Sequence, residues 1–233
     1  HANVAEVFLV FAKTDPEKGA KGITCFLVER GDGVKTSPLK GKLGLRAADT
    51  GMVFLDGVRV PKDRVLGKEG EGFRIALSTL DTGRISLAAG AVGLMQRALD
   101  LSLAYAGERK QFGKPIAQFQ LVQEHLAAMK LDLEAARLLT YRAAWKKVKG
   151  EPYTLEASLA KLFASEAANR VAYRAIQVHG GYGFFEEYEV ARLYWDARIL
   201  TLYEGSSEVQ KLIIGAHLTG VRAFASGRYS IPT

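Results

Sequence analysis

The stretch RISLAAGAVGLMQRALDLSLAY, residues 84–105, decides the fold. Within it Ile85, Ala88, Val92, Met95, Leu99 and Leu103 recur at steps of three or four, the spacing of one face of an α-helix. Downstream, from Phe119 to Lys149, the residues Val122, Leu126, Met129, Leu133 and Ala136 repeat the pattern. Gly150-Glu151-Pro152 should stop that second helix, because proline starts helices far better than it continues them. A third helix is expected over 154–179, closed by Gly180-Gly181-Tyr182-Gly183, then a short one near 191–199 and a last one over 206–221. Long amphipathic helices joined by short connections need a shared core, and an antiparallel four-helix bundle supplies it. The last residues, 226–233, carry no periodicity and read as a tail.

Upstream the period is two rather than 3.6. Short apolar runs at 7–12, 23–28, 52–55 and 58–60 are separated by turn chemistry such as Asp15-Pro16-Glu17-Lys18-Gly19 and Gly31-Asp32-Gly33. Asp56-Gly57 between two apolar runs signals a hairpin, or else a bulge in one continuous strand. The fold class is therefore α+β: a short antiparallel β region over 1–68, then the helical bundle over 69–225. The chain opens at His1 almost directly into Val7-Phe8-Leu9-Val10-Phe11, which points to sequence upstream of it.

Composition narrows the function classes. Of 233 residues, 48% are hydrophobic and 24% charged, ordinary for a globular protein able to bury a sizeable core. No apolar run approaches the ~20 residues of a membrane span, and no signal peptide is visible. The net charge of +7 is scattered. Its densest cluster, Trp145-Lys146-Lys147-Val148-Lys149, falls at a helix end where cations complement the dipole, so a nucleic-acid partner is not expected. Cys25 is the single cysteine and reads as a small buried hydrophobe in a strand, which fits a reducing compartment. No metal-ligand spacing appears among the four histidines.

Three stretches depart from what a plain bundle needs. In Leu202-Tyr203-Glu204-Gly205-Ser206-Ser207-Glu208, the two serines and Glu208 suit a helix start, but Glu204 is left without a structural task other than solvation. Gln177-Val178-His179-Gly180-Gly181-Tyr182-Gly183 holds more glycine than a helix cap requires, as if backbone must approach a ligand. Glu108-Arg109-Lys110-Gln111-Phe112-Gly113-Lys114-Pro115 is either a polar interhelix loop or an arginine fork aimed at a diphosphate.

Taken together, and in this order and spacing, these motifs resemble those of the FAD-dependent acyl-CoA dehydrogenases. Asp196-Ala197-Arg198, Lys21-Gly22-Ile23-Thr24, Lys42-Leu43-Gly44-Leu45-Arg46, Val60-Pro61, Gly70-x-Gly72-Phe73 and Asp81-Thr82-Gly83-Arg84 also match. The resemblance runs over about residues 1–222 and implies the end of a middle β domain plus the whole carboxy-terminal bundle.

The resemblance implies α,β-dehydrogenation of an acyl-CoA thioester. Glu204 takes the α-proton, a hydride passes to FAD, and electrons leave to an electron-transferring flavoprotein. A solvated glutamate, with a pKa of about 4.3, is too weak for that proton, so the base must lose water when substrate binds. Some relatives carry the base at the position of Gly83, which has no side chain to offer. The same resemblance assigns substrate contacts to Phe73, Asp81, Thr82, Gly83, Arg84 and Gly205. It assigns cofactor contacts to Arg109, Gln120, Gln177, Val178, His179, Gly180, Gly181, Ser206, Ser207 and Glu208, some of them reaching the FAD of a neighbouring subunit. It further implies a homo-oligomer, usually a tetramer, in the cytoplasm or the mitochondrial matrix. An acyl-CoA oxidase shares most of these motifs, and a non-catalytic helical module for oligomerisation is the third reading.

Overall fold

The computed structural model describes residues 1–221 and residue 223, so the expected tail at 226–233 lies outside the described residues. Its contacts divide the chain into two compact units, which meet within one long helix between Leu80 and Asp81.

In the first unit, strands β1 (Val7–Lys13) and β2 (Ile23–Glu29) pair antiparallel from Val7 opposite Glu29 to Lys13 opposite Ile23. Two further strands, β3 (Lys35–Pro38) and β4 (Gly51–Phe54), form a separate antiparallel pair, while β5 (Val65–Leu66) joins the free edge of β2. Cys25 is wholly buried in β2, the place read from its flanks. The hairpin expected around Asp56-Gly57 does not form, nor does one continuous strand. Gly57 turns the chain with φ +64, but Val58–Val60 enters no ladder, and β4 takes β3 as its partner instead. Pro61 restricts the residue before it and has no N–H to donate, so the run ahead of it ends without a sheet.

Helix α1 (Gly72–Glu108) links the units, and its first turn is packed tightly against the sheet. A Cβ at Gly72 would stand 2.7 Å from the carbonyl carbon of Thr24, so only glycine lets the helix start there. In the second unit, the remainder of α1 is followed by β6 (Lys110–Gln111) and β7 (Lys114–Pro115), α2 (Gln120–Val148), α3 (Thr154–His179), α4 (Glu189–Ala197) and α5 (Ser207–Thr219).

The stripes read from the sequence face the core. Ala88, Met95 and Leu99 of α1 are buried with Met129, Leu133 and Ala136 of α2. Leu103 departs from this and is half exposed. Two four-residue steps after Met95 carry it about 80° round the helix, so Ser102 and Ala106 face inward in its place. Helix α3 lies at the centre, against α2, α4 and α5. Ala157, Ala160, Ala164, Ala167, Ala168, Ala172 and Ala175 are all buried on it, small side chains that let several helices approach one axis. No helix among the described residues is long and apolar enough to cross a membrane.

Candidate functional site

Helix α5 begins where Ser206 caps it, its hydroxyl accepting from the Val209 N–H at 3.5 Å. Immediately before that cap the backbone turns left-handed twice, at Glu204 (φ +58) and at Gly205 (φ +88). Glycine adopts that region freely, but glutamate does so at a cost of roughly 1–2 kcal/mol. Hydrogen bonds to the inward-turned carbonyls hold it there. The Arg84 Nε donates to the Glu204 carbonyl at 3.3 Å, and Gln210 Nε2 donates to the carbonyls of Glu204 and Gly205 at 3.2 and 3.1 Å. Lys161 Nζ donates to the Gly205 carbonyl at 2.7 Å.

That conformation lays the Glu204 side chain across Gly83 on α1. A Cβ added to Gly83 would fall 2.6 Å from Glu204 Oε2. This carboxylate oxygen is buried and has no hydrogen-bond partner. An unsolvated oxygen with free lone pairs can accept a proton from whatever occupies the space before it. Beside it Arg84, itself buried, is paired with Asp81 at 2.8 Å, and the other Asp81 oxygen accepts from Thr154 Oγ1 at 2.6 Å. Thr82 turns toward the Tyr153 hydroxyl, 3.1 Å away. Burial, together with the nearby Glu204 carboxylate, pushes the Tyr203 hydroxyl above its ordinary pKa. Burial also pulls the Lys161 ammonium down to about 8.

A second assembly sits at the C-terminal end of α3. An open depression of about 480 Å³ is lined by Tyr105, Arg109, Ile116, Val178, His179, Gly180, Gly181, Tyr182 and Phe185, among others. The His179 ring stacks on Tyr105 with centroids 4.3 Å apart and bonds the Ala175 carbonyl through Nδ1 at 2.7 Å; burial holds its pKa below the ordinary value. The Arg109 guanidinium lies 5.4 Å from the centre of the Tyr182 ring. Gly180 has φ +60, and a Cβ at Gly180 or Gly181 would meet nothing within 4 Å, so their backbone is open to a ligand. Aromatic walls, one guanidinium and backbone free of side chains can take a flat ring and a phosphate. Arg109 leads not into a plain loop but into a miniature hairpin, β6–β7, whose two-residue tip is Phe112 (φ +53) and Gly113 (φ +79).

The expected residues thus fall into groups. Asp81, Gly83, Arg84, Glu204 and Gly205 come together, and Arg109, Val178, His179, Gly180 and Gly181 come together. Ser207 and Glu208 line a smaller depression of about 320 Å³ with Glu166 and Arg198. The Ser207 hydroxyl bonds Glu166, and a bond to the Ser206 hydroxyl lowers the Glu208 pKa. Gln120 and Gln177 are exposed and line neither depression. Phe73 is half-buried and belongs to the first unit. Reading the motifs missed Lys161 and Gln210. A lysine within the alanine stripe of α3 was the available signal for the first; Gln210, in the opening turn of a helix, gave none. Among the described residues no cluster of His, Cys, Asp and Glu could hold a metal.

The model of the acyl-CoA dehydrogenase C-terminal domain matches residues 70–219. The short-chain-specific acyl-CoA dehydrogenase of Megasphaera elsdenii is 45% identical over 219 residues, 94% of this chain and 57% of that protein. The CarC subunit of the caffeyl-CoA reductase–Etf complex of Acetobacterium woodii is 44% identical over 211 residues, 90% of this chain and 56% of its own length. The solved butyryl-CoA dehydrogenase of M. elsdenii superposes with a TM-score of 0.90 at 45% identity, over 93% of this chain and 57% of that one. The chain therefore spans somewhat over half the length of the relatives it matches.

Proposed function

The chain belongs to the acyl-CoA dehydrogenase family, and from that premise we propose that the complete protein dehydrogenates an acyl-CoA thioester between its α- and β-carbons, with Glu204 as the base. The carrying observation is the Glu204 carboxylate itself, laid over the bare backbone of Gly83 with one oxygen buried and unpartnered. Because Gly83 has no side chain, the carboxylate can lie against its backbone. The family resemblance assigns substrate contacts to Asp81, Thr82, Arg84 and Gly205 beside Glu204, and to Phe73. Removing the α-proton leaves charge that delocalises onto the thioester carbonyl, so the base need only be dry, ionised and close.

The residues around Arg109 fit FAD on the observations already given: stacked aromatic walls, a half-buried guanidinium and glycine backbone open to a diphosphate. Arg109, Val178, His179, Gly180 and Gly181 would hold the FAD of a neighbouring subunit there. Ser206, Ser207 and Glu208, at the N-terminal end of α5, would make the flavin-side contacts next to the base. FAD supplies, when bound, the acceptor for the hydride leaving the β-carbon. Gln120 and Gln177 are exposed, as residues must be to reach the cofactor of a second copy, and we assign the protein to a homotetramer that passes electrons to an electron-transferring flavoprotein. Its place is the cytoplasm, or the mitochondrial matrix.

The likeness to a caffeyl-CoA reductase subunit favours a second reading, in which the same site runs in the reducing direction and Glu204 returns a proton to the α-carbon. An oxidase is the remaining alternative; dependence of turnover on an external acceptor separates it from a dehydrogenase. The central test is Glu204→Gln in the complete protein. It should abolish exchange of the substrate α-proton while the flavin stays bound, and ordinary turnover by that variant would refute the assignment.

A further inference from the structure

Lys161 has no part in the chemistry described so far, yet it is among the largest wholly buried side chains of the protein. It sits about two turns into α3, flanked on the buried face by Ala157, Ala160 and Ala164. Burying an ammonium is costly, and methionine would fill the same volume without that cost. Its hydrogen bond goes to a backbone carbonyl, that of Gly205, and not to a carboxylate. The charges facing it are Arg84 from α1, Glu166 from α3 itself, Glu204 from the loop and Glu208 from α5.

The bond has one consequence that core packing does not require. The carbonyls of Glu204 and Gly205 are consecutive, and both are drawn toward buried donors: Arg84 and Gln210 on the first, Gln210 and Lys161 on the second. Two consecutive carbonyls can turn toward those donors because the residues between them are left-handed, at φ +58 and φ +88. Left to itself a glutamate would leave that region. Once it did, its carboxylate would swing away from Gly83, where it now lies within 2.6 Å of the Cβ position. Of the donors to the Gly205 carbonyl, Lys161 is the charged one and makes the shorter bond, which marks it as the stronger anchor.

We infer that Lys161 is a positioning residue for the base: its ammonium anchors the Gly205 carbonyl, and this holds Glu204 in the left-handed conformation that sets its carboxylate over Gly83. The inference rests on the reading of Glu204 as the base. Depression of the lysine pKa to about 8, chiefly by burial, agrees with an ammonium kept dry for a local purpose.

The test is Lys161→Met in the complete, flavin-loaded protein, with Gln210→Leu and Glu204→Gln alongside. Lys161→Met should fold, bind flavin at the wild-type stoichiometry and melt no lower than wild type, because a buried charge has been replaced by an isostere. Its kcat per flavin and its rate of α-proton exchange should fall together by roughly 10–100-fold, the range for a misplaced catalytic group, while KM changes much less. Gln210→Leu, which removes the neutral donor from the same carbonyls, should show a smaller loss of the same kind. Two results overturn the inference: wild-type kcat per flavin in Lys161→Met, or loss of fold or flavin, which would make the lysine a stability element. If Glu204→Gln is inactive and Lys161→Met is normal, only the positioning role fails. If Glu204→Gln turns over normally, the base assignment fails and Lys161 has nothing to position.

Discussion

The three heavy atoms nearest to a methyl group at residue 83 would all belong to the Glu204 carboxyl group, the closest being Oε2 at 2.6 Å. Such a contact is relieved by swinging the carboxylate aside. Gly83→Ala should therefore leave the melting temperature close to wild type yet lower kcat by about 10–100-fold, a split read from calorimetry and steady-state kinetics on one preparation. Gly205→Ala should behave differently. Its φ of +88 suits no other residue well, and the new Cβ would stand 2.6 Å from Gln210 Nε2, so stability should fall by about 1–3 kcal/mol along with activity. Single residues were unevenly legible in the sequence. Glu204 stood out because a helix start explains its neighbours but not itself. The close approach of Gly83 was invisible, since it depends on a residue 121 positions later that only folding brings near. Lys161 was hidden because a charged residue within a helix reads as solvated, and its partner is a carbonyl rather than an acid.

Elements whose partners are local, or whose faces are long, were read well. The three-and-four stripes of α1 and α2 reach the core, and Ser206 caps α5 as its position before an apolar run suggested. That cap bond is long, at 3.5 Å, so Ser206→Ala should cost about 0.5–1 kcal/mol, the low end of the range for cap removal, measurable as a shift in denaturant midpoint at constant slope. A loss above about 2 kcal/mol would mean that Ser206 does more than cap. The strands were harder. Lys35-Thr36-Ser37-Pro38 has no apolar run, and becomes β3 because β4 lies alongside it. Asp56-Gly57 looked like a hairpin because turn chemistry is local, whereas strand pairing is decided by whichever edge is available. The Arg109 segment was read as loop or phosphate fork because its two-residue tip is Phe112-Gly113, not the asparagine or aspartate with glycine that usually marks a type I′ turn.

For the molecule as a whole, the buried ammonium of Lys161 makes stability depend on pH in a direction opposite to that of an ordinary paired lysine. Its folded pKa is lowered from 10.5 to about 8. Between those values the unfolded chain holds a proton that the folded chain has released, so the unfolded state binds more protons and stability rises with pH. Below about pH 8 both states are charged, and the full penalty of the buried cation is present. Other groups act against this rise. Burial pushes Cys25, Tyr105 and Tyr203 upward from ordinary values of 9.0, 10.0 and 10.0, so the folded chain keeps protons that the unfolded chain loses, and stability falls as pH climbs past those values. All of these groups remain in Lys161→Met, so the difference between variant and wild type isolates the lysine. The variant should be the more stable protein at pH 7, and its advantage should shrink steadily from pH 8 to pH 10 in denaturant titrations. An advantage that stayed constant across that window would mean that Lys161 keeps its proton in the folded state. One that held to pH 10 and grew only above about 10.5 would mean that its pKa is raised by the surrounding carboxylates of Glu166, Glu204 and Glu208, whose attraction would then outweigh burial and the repulsion of Arg84. The predicted shrinkage ties the dryness needed around the candidate base to a measurable loss of stability at neutral pH, as expected where a site is built from groups that a simple core would exclude.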